Sequence, residues 1–172
     1  MASNLELKTR LQDLQTALDR GLSQGATDEG ILVQEDTYFR CSQGRLKLRC
    51  FGDGTSELIA YQRPNRGSAR YSEYIKVPVG DRDAVKHALE LVLGVRVVVR
   101  KKRHLLLYRG CRIHLDDVDQ LGTFLEFEVP AGAGAHALMK ELCGIFQVRA
   151  HETIAGSYAD LLGEPPGIPD RP

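Results

Sequence analysis

The chain has 172 residues, which is enough for one globular domain with a substantial core. Its 23 basic and 23 acidic residues leave no net charge, which argues against a dedicated nucleic-acid binder, because such proteins usually have a basic excess. No apolar stretch is long enough to span a membrane and the four cysteines form no C-x-x-C pair, so we expect a cytoplasmic protein with reduced thiols and no zinc or disulfide framework.

Short segments that alternate apolar and polar residues run through most of the chain and predict β-strands. The predicted strands are Asn4–Arg10, Gln34–Arg40, Arg45–Phe51, Glu57–Arg63, Tyr71–Val79, Val95–Leu107, Cys111–Asp116 and Thr123–Val129. Turn-rich links, such as the one around Asp53 and the one at Arg109 and Gly110, are typical of hairpins. Many short strands with hairpin spacing favour an antiparallel barrel or sandwich.

Three helices are predicted from apolar residues at helical spacing. The first runs from about Leu11 to Leu22 with an apolar face of Leu11, Leu14, Leu18 and Leu22. The second follows Asp81 as its N-cap, carries Val85, Ala88, Leu89 and Val92 on one face and ends near Gly94. The third runs from about Ala135 to Phe146, with Leu138, Met139, Leu142 and Phe146 towards the core. We interpret all three apolar faces as packing surfaces.

The chain is predicted to form a single domain over residues 1–162. Residues 163–172 hold four prolines and are expected to form a flexible C-terminal tail.

The charged residues of each predicted strand lie on one face, because successive side chains of a strand point to opposite sides. For a single strand, this is explained by the solvated face of a half-buried sheet. Here, however, basic residues gather on some strands and acidic residues on others, and three helices are available to cover the apolar faces. The charged faces could therefore line a barrel lumen, where a polyanionic ligand and a metal would complete the charge balance.

Seven segments, in order, resemble the CYTH superfamily, which comprises CyaB-type class IV adenylyl cyclases, thiamine triphosphatases and other triphosphate tunnel metalloenzymes. The segments are Asn4–Lys8, Gln34–Phe39, Gly44–Arg49, Glu57–Pro64, Lys101–Arg103, Ile113–Asp116 and Leu121–Glu128. The sequence is nearest to the CyaB-like branch. The resemblance implies an α+β fold, in which a closed eight-stranded antiparallel β-barrel forms a triphosphate tunnel with about three flanking helices.

The resemblance also implies a site. The expected metal ligands are Glu6, Asp116, Glu126 and Glu128, and Mg²⁺ or Mn²⁺ is the expected cofactor, because these ions prefer oxygen ligands. The expected triphosphate-binding residues are Lys8, Lys47, Arg49, Arg63, Lys76, Lys101 and Arg103. Glu6, Lys8 and Asp116 are the expected catalytic residues. Asn4 stands where the E-x-E-x-K signature usually has its first glutamate, so the number of metals stays open.

Three functions remain open at this stage. The leading hypothesis is a metal-dependent hydrolase of a nucleoside or other organic triphosphate, or of inorganic tripolyphosphate. The alternative is a class IV-type adenylyl cyclase that converts ATP to cyclic AMP and pyrophosphate, and the third is an inactive module that binds phosphorylated ligands. We expect no nucleic-acid or membrane partner, and a monomer or homodimer. His114 is either a base or, by our preferred interpretation, a hydrogen-bonded structural residue.

Overall fold

The computed structural model describes residues 2–62 and 69–163, except for the side chain of Ala2. Its strands are β1 (Ala2–Arg10), β2 (Thr27–Phe39), β3 (Arg45–Phe51), β4 (Ser56–Gln62), β5 (Arg70–Pro78), β6 (Val95–Tyr108), β7 (Cys111–Val118) and β8 (Gly122–Pro130). They close into a barrel in the order β1–β5–β4–β3–β2–β6–β7–β8, and every neighbouring pair is antiparallel. The predicted α+β fold with a closed eight-stranded barrel is therefore confirmed.

Strand β2 is longer than its sequence pattern indicates. It begins at Thr27 rather than Gln34, although its first residues show no clean alternation. The long strand β6 supplies a partner there, because Thr27 pairs with Leu107, and the register shifts between Asp28 and Ile31. This extension depends on a distant strand, so local sequence could not predict it.

The helices are α1 (Leu14–Ser23), α2 (Arg82–Leu93), α3 (Ala135–Phe146) and α4 (Tyr158–Leu162), with a short 3₁₀ turn at Ala150–Glu152. Helix α1 begins three residues later than predicted, because Asp13 caps it by accepting a hydrogen bond from the Gln15 backbone N–H at 2.9 Å. The fourth helix was not predicted. None of the helices in residues 2–62 and 69–163 is long and apolar enough to cross a membrane. Apart from Gly163, the predicted tail lies outside the described residues.

The main core lies outside the barrel, between its wall and helices α1 and α3. Its buried members include Leu5, Leu7, Leu106, Ile113, Leu115, Leu125 and Phe127 from the strands, and Met139, Leu142 and Phe146 from α3. These strand residues alternate with the charged ones, so their burial on the outside turns the charged faces inward. The packing role predicted for the first and third helices is confirmed, except at Leu22, which is 40% exposed.

Helix α2 is the exception, because its predicted apolar face is covered only in part, with Val85 and Leu89 half-buried and Ala88 and Val92 exposed. None of its residues is buried, and Val92 is 77% exposed. Its predicted N-cap is correct, because Asp81 accepts a hydrogen bond from the Ala84 backbone N–H at 3.0 Å. Helical spacing therefore predicted the helix but not whether its apolar face would be covered.

A second, smaller core lies at one end of the barrel interior. Tyr38, Val99, Val118 and Phe124 continue the inward-facing rows of β2, β6, β7 and β8, and helix α4 packs Tyr158 and Ala159 against them. The lumen therefore changes from charged to apolar at this end, where α4 covers it.

Candidate active site in the barrel lumen

The lumen contains a cavity that gathers most of the predicted site residues. Its walls include Glu6, Lys8, Lys47, Arg49, Lys76, Lys101, Arg103, Glu126 and Glu128. Each of these residues faces inward because it alternates with an outward apolar or solvated neighbour on its strand. The structure therefore brings together residues that are up to 122 positions apart in sequence (Glu6 and Glu128).

One side of the cavity is rich in cations and is built around Asp36 of β2, which is 1% exposed. Arg49 of β3 binds this carboxylate with two parallel bonds, Nε to Oδ1 and Nη2 to Oδ2, both 2.7 Å long. Lys101 Nζ of β6 lies 2.8 Å from Oδ2, and Lys47 Nζ lies 3.1 Å from the same atom. Three cations therefore share one buried carboxylate, and the group carries excess positive charge.

The ionisation of this group follows from burial and from these contacts. Burial alone would raise the pKa of Asp36, but the charges of Arg49, Lys101 and Lys47 outweigh it and hold the pKa well below its ordinary value. Burial lowers the pKa of Lys101 to about 7. The negative charge of Asp36 would raise this pKa, but the positive charges of Arg49 and Arg103 oppose that effect. The cation-rich side therefore has one member that loses its charge near neutral pH.

Carboxylates are gathered on the other side of the cavity, at Glu126 and Glu128 of β8 with Glu6 of β1 beside them. Glu126 Oε1 lies 3.2 Å from Lys8 Nζ, and its Oε2 lies 3.1 Å from Arg103 Nη2. Burial opposes ionisation of Glu126, but the Lys8 charge, together with His114 and Arg103, holds its pKa well below the ordinary value. Burial also opposes ionisation of Glu128, but the charges of His114, Arg103 and Arg112 hold its pKa below the ordinary value, and Arg112 Nε lies 3.7 Å from its Oε2. This side therefore carries carboxylates in the ionised form that a cation requires.

A divalent cation fits this second group. Glu126, Glu128 and His114 each offer a ligand atom, and the three atoms lie within 4.8 Å of one another. The two oxygens are the donors that Mg²⁺ and Mn²⁺ prefer. His114 is fully buried, and its Nδ1 has no hydrogen-bond partner among the described residues. Burial lowers the pKa of His114, and the Arg103 charge acts in the same direction.

Asp116 lies apart from that group and is bound to other residues. Both of its oxygens accept bonds from Arg103, Nε to Oδ1 at 2.7 Å and Nη2 to Oδ2 at 2.6 Å. The Tyr158 hydroxyl donates a third bond to Oδ2 at 2.7 Å. The geometry gives Asp116 the role of fixing Arg103, and its metal-binding and catalytic roles remain predictions.

The other predicted residues lie as follows. Glu6 of β1 lines the cavity, and it is paired with Glu128 on the neighbouring strand β8. Lys76 lines the more exposed part of the cavity, with its Nζ 3.9 Å from Glu57 Oε2. Asn4, at the position of the usual first glutamate, donates a hydrogen bond to the Tyr74 hydroxyl at 3.4 Å. Arg63 lies outside the described residues.

Asp36 and Tyr158 are lumen residues with direct contacts to the predicted site, and sequence reasoning missed both. Asp36 had a usable signal, because Gln34, Asp36 and Tyr38 alternate within a predicted strand. Tyr158 had none, since it comes from a five-residue helix far along the chain. In the structure, Lys8 Nζ lies 3.6 Å from the centre of the Tyr158 ring, which is a cation–π contact.

Comparisons with known proteins agree with this architecture. A family model described as the CYTH domain matches residues 2–148. No curated protein sequence matches the chain.

Several solved structures share the fold at low sequence identity. The PH1012 protein of Pyrococcus horikoshii is 21% identical, with a TM-score of 0.82 over 92% of this chain and 98% of that one. A candidate adenylate cyclase from Vibrio parahaemolyticus is 19% identical, with a TM-score of 0.76 over 94% of this chain and 98% of that one. A candidate adenylyl cyclase from Hippeastrum, described as having a dominant triphosphatase activity, is 12% identical, with a TM-score of 0.64 over 91% of each chain.

Proposed function

This chain belongs to the CYTH domain family, and from that premise we propose that it is a divalent-metal-dependent hydrolase of a nucleoside or other organic triphosphate, or of inorganic tripolyphosphate. The observation that carries the proposal is the division of one cavity into two charged sides. Lys47, Arg49 and Lys101 surround a single carboxylate on one side, whereas Glu126 and Glu128 lie together on the other. A triphosphate with its metal supplies both of the missing charges.

The cations have a direct role in this proposal. Guanidinium and ammonium groups neutralise phosphate oxygens, and Arg49 is held in a fixed orientation by its two bonds to Asp36. Phosphoryl transfer depends chiefly on such positioning and charge stabilisation. The cation-rich side would therefore hold the chain of phosphates along the lumen.

The carboxylates would hold the metal. Glu126 and Glu128 are the proposed ligands, with Glu6 beside Glu128 as a third carboxylate that can hold the metal or orient the attacking water. Bound Mg²⁺ or Mn²⁺ supplies a Lewis acid that polarises a phosphoryl oxygen. Arg103 keeps Glu126 in place and, through Asp116, is itself held in place.

The cyclase remains the second candidate, because a structure of the same fold carries that description. Both reactions use the same charges, and they differ in which phosphorus atom is attacked and by which nucleophile. Water attacking the terminal phosphorus gives ADP and phosphate, whereas the ribose 3′-hydroxyl attacking the innermost phosphorus gives cyclic AMP and pyrophosphate.

A product assay tests the proposal. The protein is incubated with ATP, thiamine triphosphate or tripolyphosphate and Mg²⁺ or Mn²⁺, and the products are separated by ion-exchange chromatography, with EDTA samples as controls. We expect metal-dependent release of phosphate from at least one of the three. Cyclic AMP and pyrophosphate from ATP would establish the cyclase instead, and tight binding without turnover would support the inactive binding module.

A cytoplasmic location and a monomeric or homodimeric state are also part of the proposal. All four cysteines are free, which agrees with a reducing compartment.

A further inference from the structure

His114 is completely buried in the lumen and lies between two guanidinium groups and two carboxylates. Its Nε2 lies 3.5 Å from Arg103 Nη1 and 3.5 Å from Arg112 Nε. Its Nδ1 lies 3.6 Å from Glu126 Oε2 and 3.9 Å from Glu128 Oε1. The ring therefore has a donor-rich side and an acceptor-rich side.

This arrangement selects one tautomer of the imidazole. Guanidinium groups are donors only and stay charged, so the nitrogen that faces them must carry the lone pair. A proton on Nε2 would meet the N–H groups of Arg103 and Arg112, whereas a proton on Nδ1 meets the carboxylates of Glu126 and Glu128. The neutral ring is therefore expected to be protonated at Nδ1.

The same contacts argue against His114 as a metal ligand. Ligation through Nδ1 would require its lone pair to face the cation and the proton to sit on Nε2. A ligating histidine normally donates its other N–H to a carboxylate, a carbonyl or water, but here that nitrogen faces two donors. His114 can therefore lie beside the carboxylates of Glu126 and Glu128 without binding the metal itself.

We propose that His114 is a positioning residue that holds the carboxylates of Glu126 and Glu128 together for a divalent cation. Two adjacent carboxylates repel each other, and an N–H aimed between them offsets that repulsion while leaving oxygen lone pairs for the cation. Both Nδ1 distances exceed a formed hydrogen bond, and Nδ1 has no partner among the described residues. A small movement of either carboxylate towards Nδ1 completes the bond, which gives this buried N–H a partner.

The inference rests on the proposed metal site, but its first test needs no metal. Protein labelled with ¹⁵N at histidine is studied by long-range ¹H–¹⁵N correlation spectroscopy at pH 7.5, and the spectrum of a His114 variant assigns His114 among the five histidines. We expect the chemical shifts and coupling pattern of the Nδ1–H tautomer. The Nε2–H tautomer would overturn the proposal.

The second test compares two substitutions that keep different nitrogens. His114→Asn places a side-chain N–H near the position of Nδ1, whereas His114→Gln places its amide near the position of Nε2. Mn²⁺ affinity, measured from the electron paramagnetic resonance signal of free Mn²⁺, should fall about 10-fold or more in the Gln variant. The Asn variant should stay close to the wild type. His87→Gln, on exposed helix α2, is the control for a histidine that should not matter.

The outcomes separate this inference from the proposed function. Equal Mn²⁺ affinity in the wild type and both folded His114 variants, or equal losses in both variants, would overturn the inference. A strong ¹⁴N coupling to bound Mn²⁺ that disappears in both variants would identify His114 as a ligand and would also overturn it. Mn²⁺ binding with the expected order of affinities but no triphosphate turnover would contradict the proposed hydrolase and leave the inference standing. A wild-type protein that does not bind Mn²⁺ would contradict both.

Discussion

The two sides of the lumen are built from the same kinds of residues but in opposite proportions. Around Asp36, on β2, β3 and β6, one carboxylate serves three cations. Around Glu126 and Glu128, on β1, β7 and β8, carboxylates are crowded together with the buried imidazole of His114 beside them. Both sides lie in an environment where an unpaired charge is costly.

The difference shows how one barrel can recognise both ends of a metal–phosphate pair. Both sides contain internal ion pairs, but one side presents cations that phosphate oxygens can bind and the other presents carboxylates that a metal can bind. Arg103 links the two sides, since it is bonded to Glu126 and Asp116 while its charge also acts on Lys101. The following predictions test whether the two sides have the separate roles proposed for them.

The largest effect is expected on the cation-rich side. Asp36→Asn leaves three cations, of which Arg49 and Lys101 are buried, without their carboxylate and should lower the free energy of unfolding by about 3–5 kcal/mol, measured by urea denaturation. Tripolyphosphate should restore part of that loss, because it supplies negative charge at the same place. Glu35→Gln is the matched control, since its ion pair with Arg100 is exposed on the outer face and should contribute at most about 1 kcal/mol. Similar losses in both variants would contradict the special role of Asp36.

On the carboxylate side, Glu128→Ala should reduce metal-dependent kcat/KM by more than about 100-fold, since the loss of outer-shell groups alone costs up to about 100-fold. The barrel should still fold, as judged by circular dichroism and Tm, because Glu128 is not part of either apolar core. Glu73→Ala on the exposed outer face of β5 is the control. Undiminished turnover in Glu128→Ala would remove this residue from the metal site.

A pH effect of intermediate size is expected from Lys101. Its pKa of about 7 means that the free protein loses this charge as the pH rises above neutrality, whereas bound phosphate favours the protonated form. The dissociation constant for tripolyphosphate, measured calorimetrically without metal, should therefore rise by up to about 10-fold per pH unit above pH 7.

The substitution Lys101→Arg keeps the charge throughout this range and serves as the reference. The dissociation constant of this variant should depend less on pH. The remaining dependence should come from the titration of tripolyphosphate itself, which is the same for both proteins. Identical pH profiles for the two proteins would show that Lys101 stays charged above neutrality.

The smallest effect is expected at Lys76. Its side chain is 44% exposed, and its Nζ lies 3.9 Å from Glu57 Oε2. Water therefore weakens the electrostatic interactions of Lys76. Lys76→Ala should raise KM less than about 5-fold and leave kcat unchanged, because an exposed ion pair contributes at most about 1 kcal/mol. A loss of kcat/KM as large as that expected from Glu128→Ala would place Lys76 in the centre of the site.

Much of this architecture could be predicted from the sequence because strand alternation is local. The period of two residues placed Lys47 with Arg49 and Glu126 with Glu128 on common faces. Alternation alone did not determine whether those faces pointed inward or outward, and the resemblance to a known family was needed for that step. The structure confirms the inward direction through the outer core under α1 and α3.

The parts that could not be predicted depend on contacts distant in sequence. The importance of Asp36 follows from its three cation partners, two on β3 and one on β6, and no single strand reveals that arrangement. The apolar face of α2 satisfied the same periodicity as α3, but periodicity carries no information about which neighbour is present. The surroundings of His114 could not be predicted either, because the two arginines and two glutamates around it come from three strands.

Helix α4 lies beyond the region that matches the family, yet Ser157 and Tyr158 contribute to the wall of the cavity. Asp160 anchors this segment through Arg45 and Arg96 on two different strands, with distances of 2.8 Å and 3.0 Å. Changes in the composition of this segment would interrupt no strand of the barrel, because all eight end before it. Substitutions in this segment can therefore reshape one end of the lumen without breaking the hydrogen-bonded ladder of the barrel.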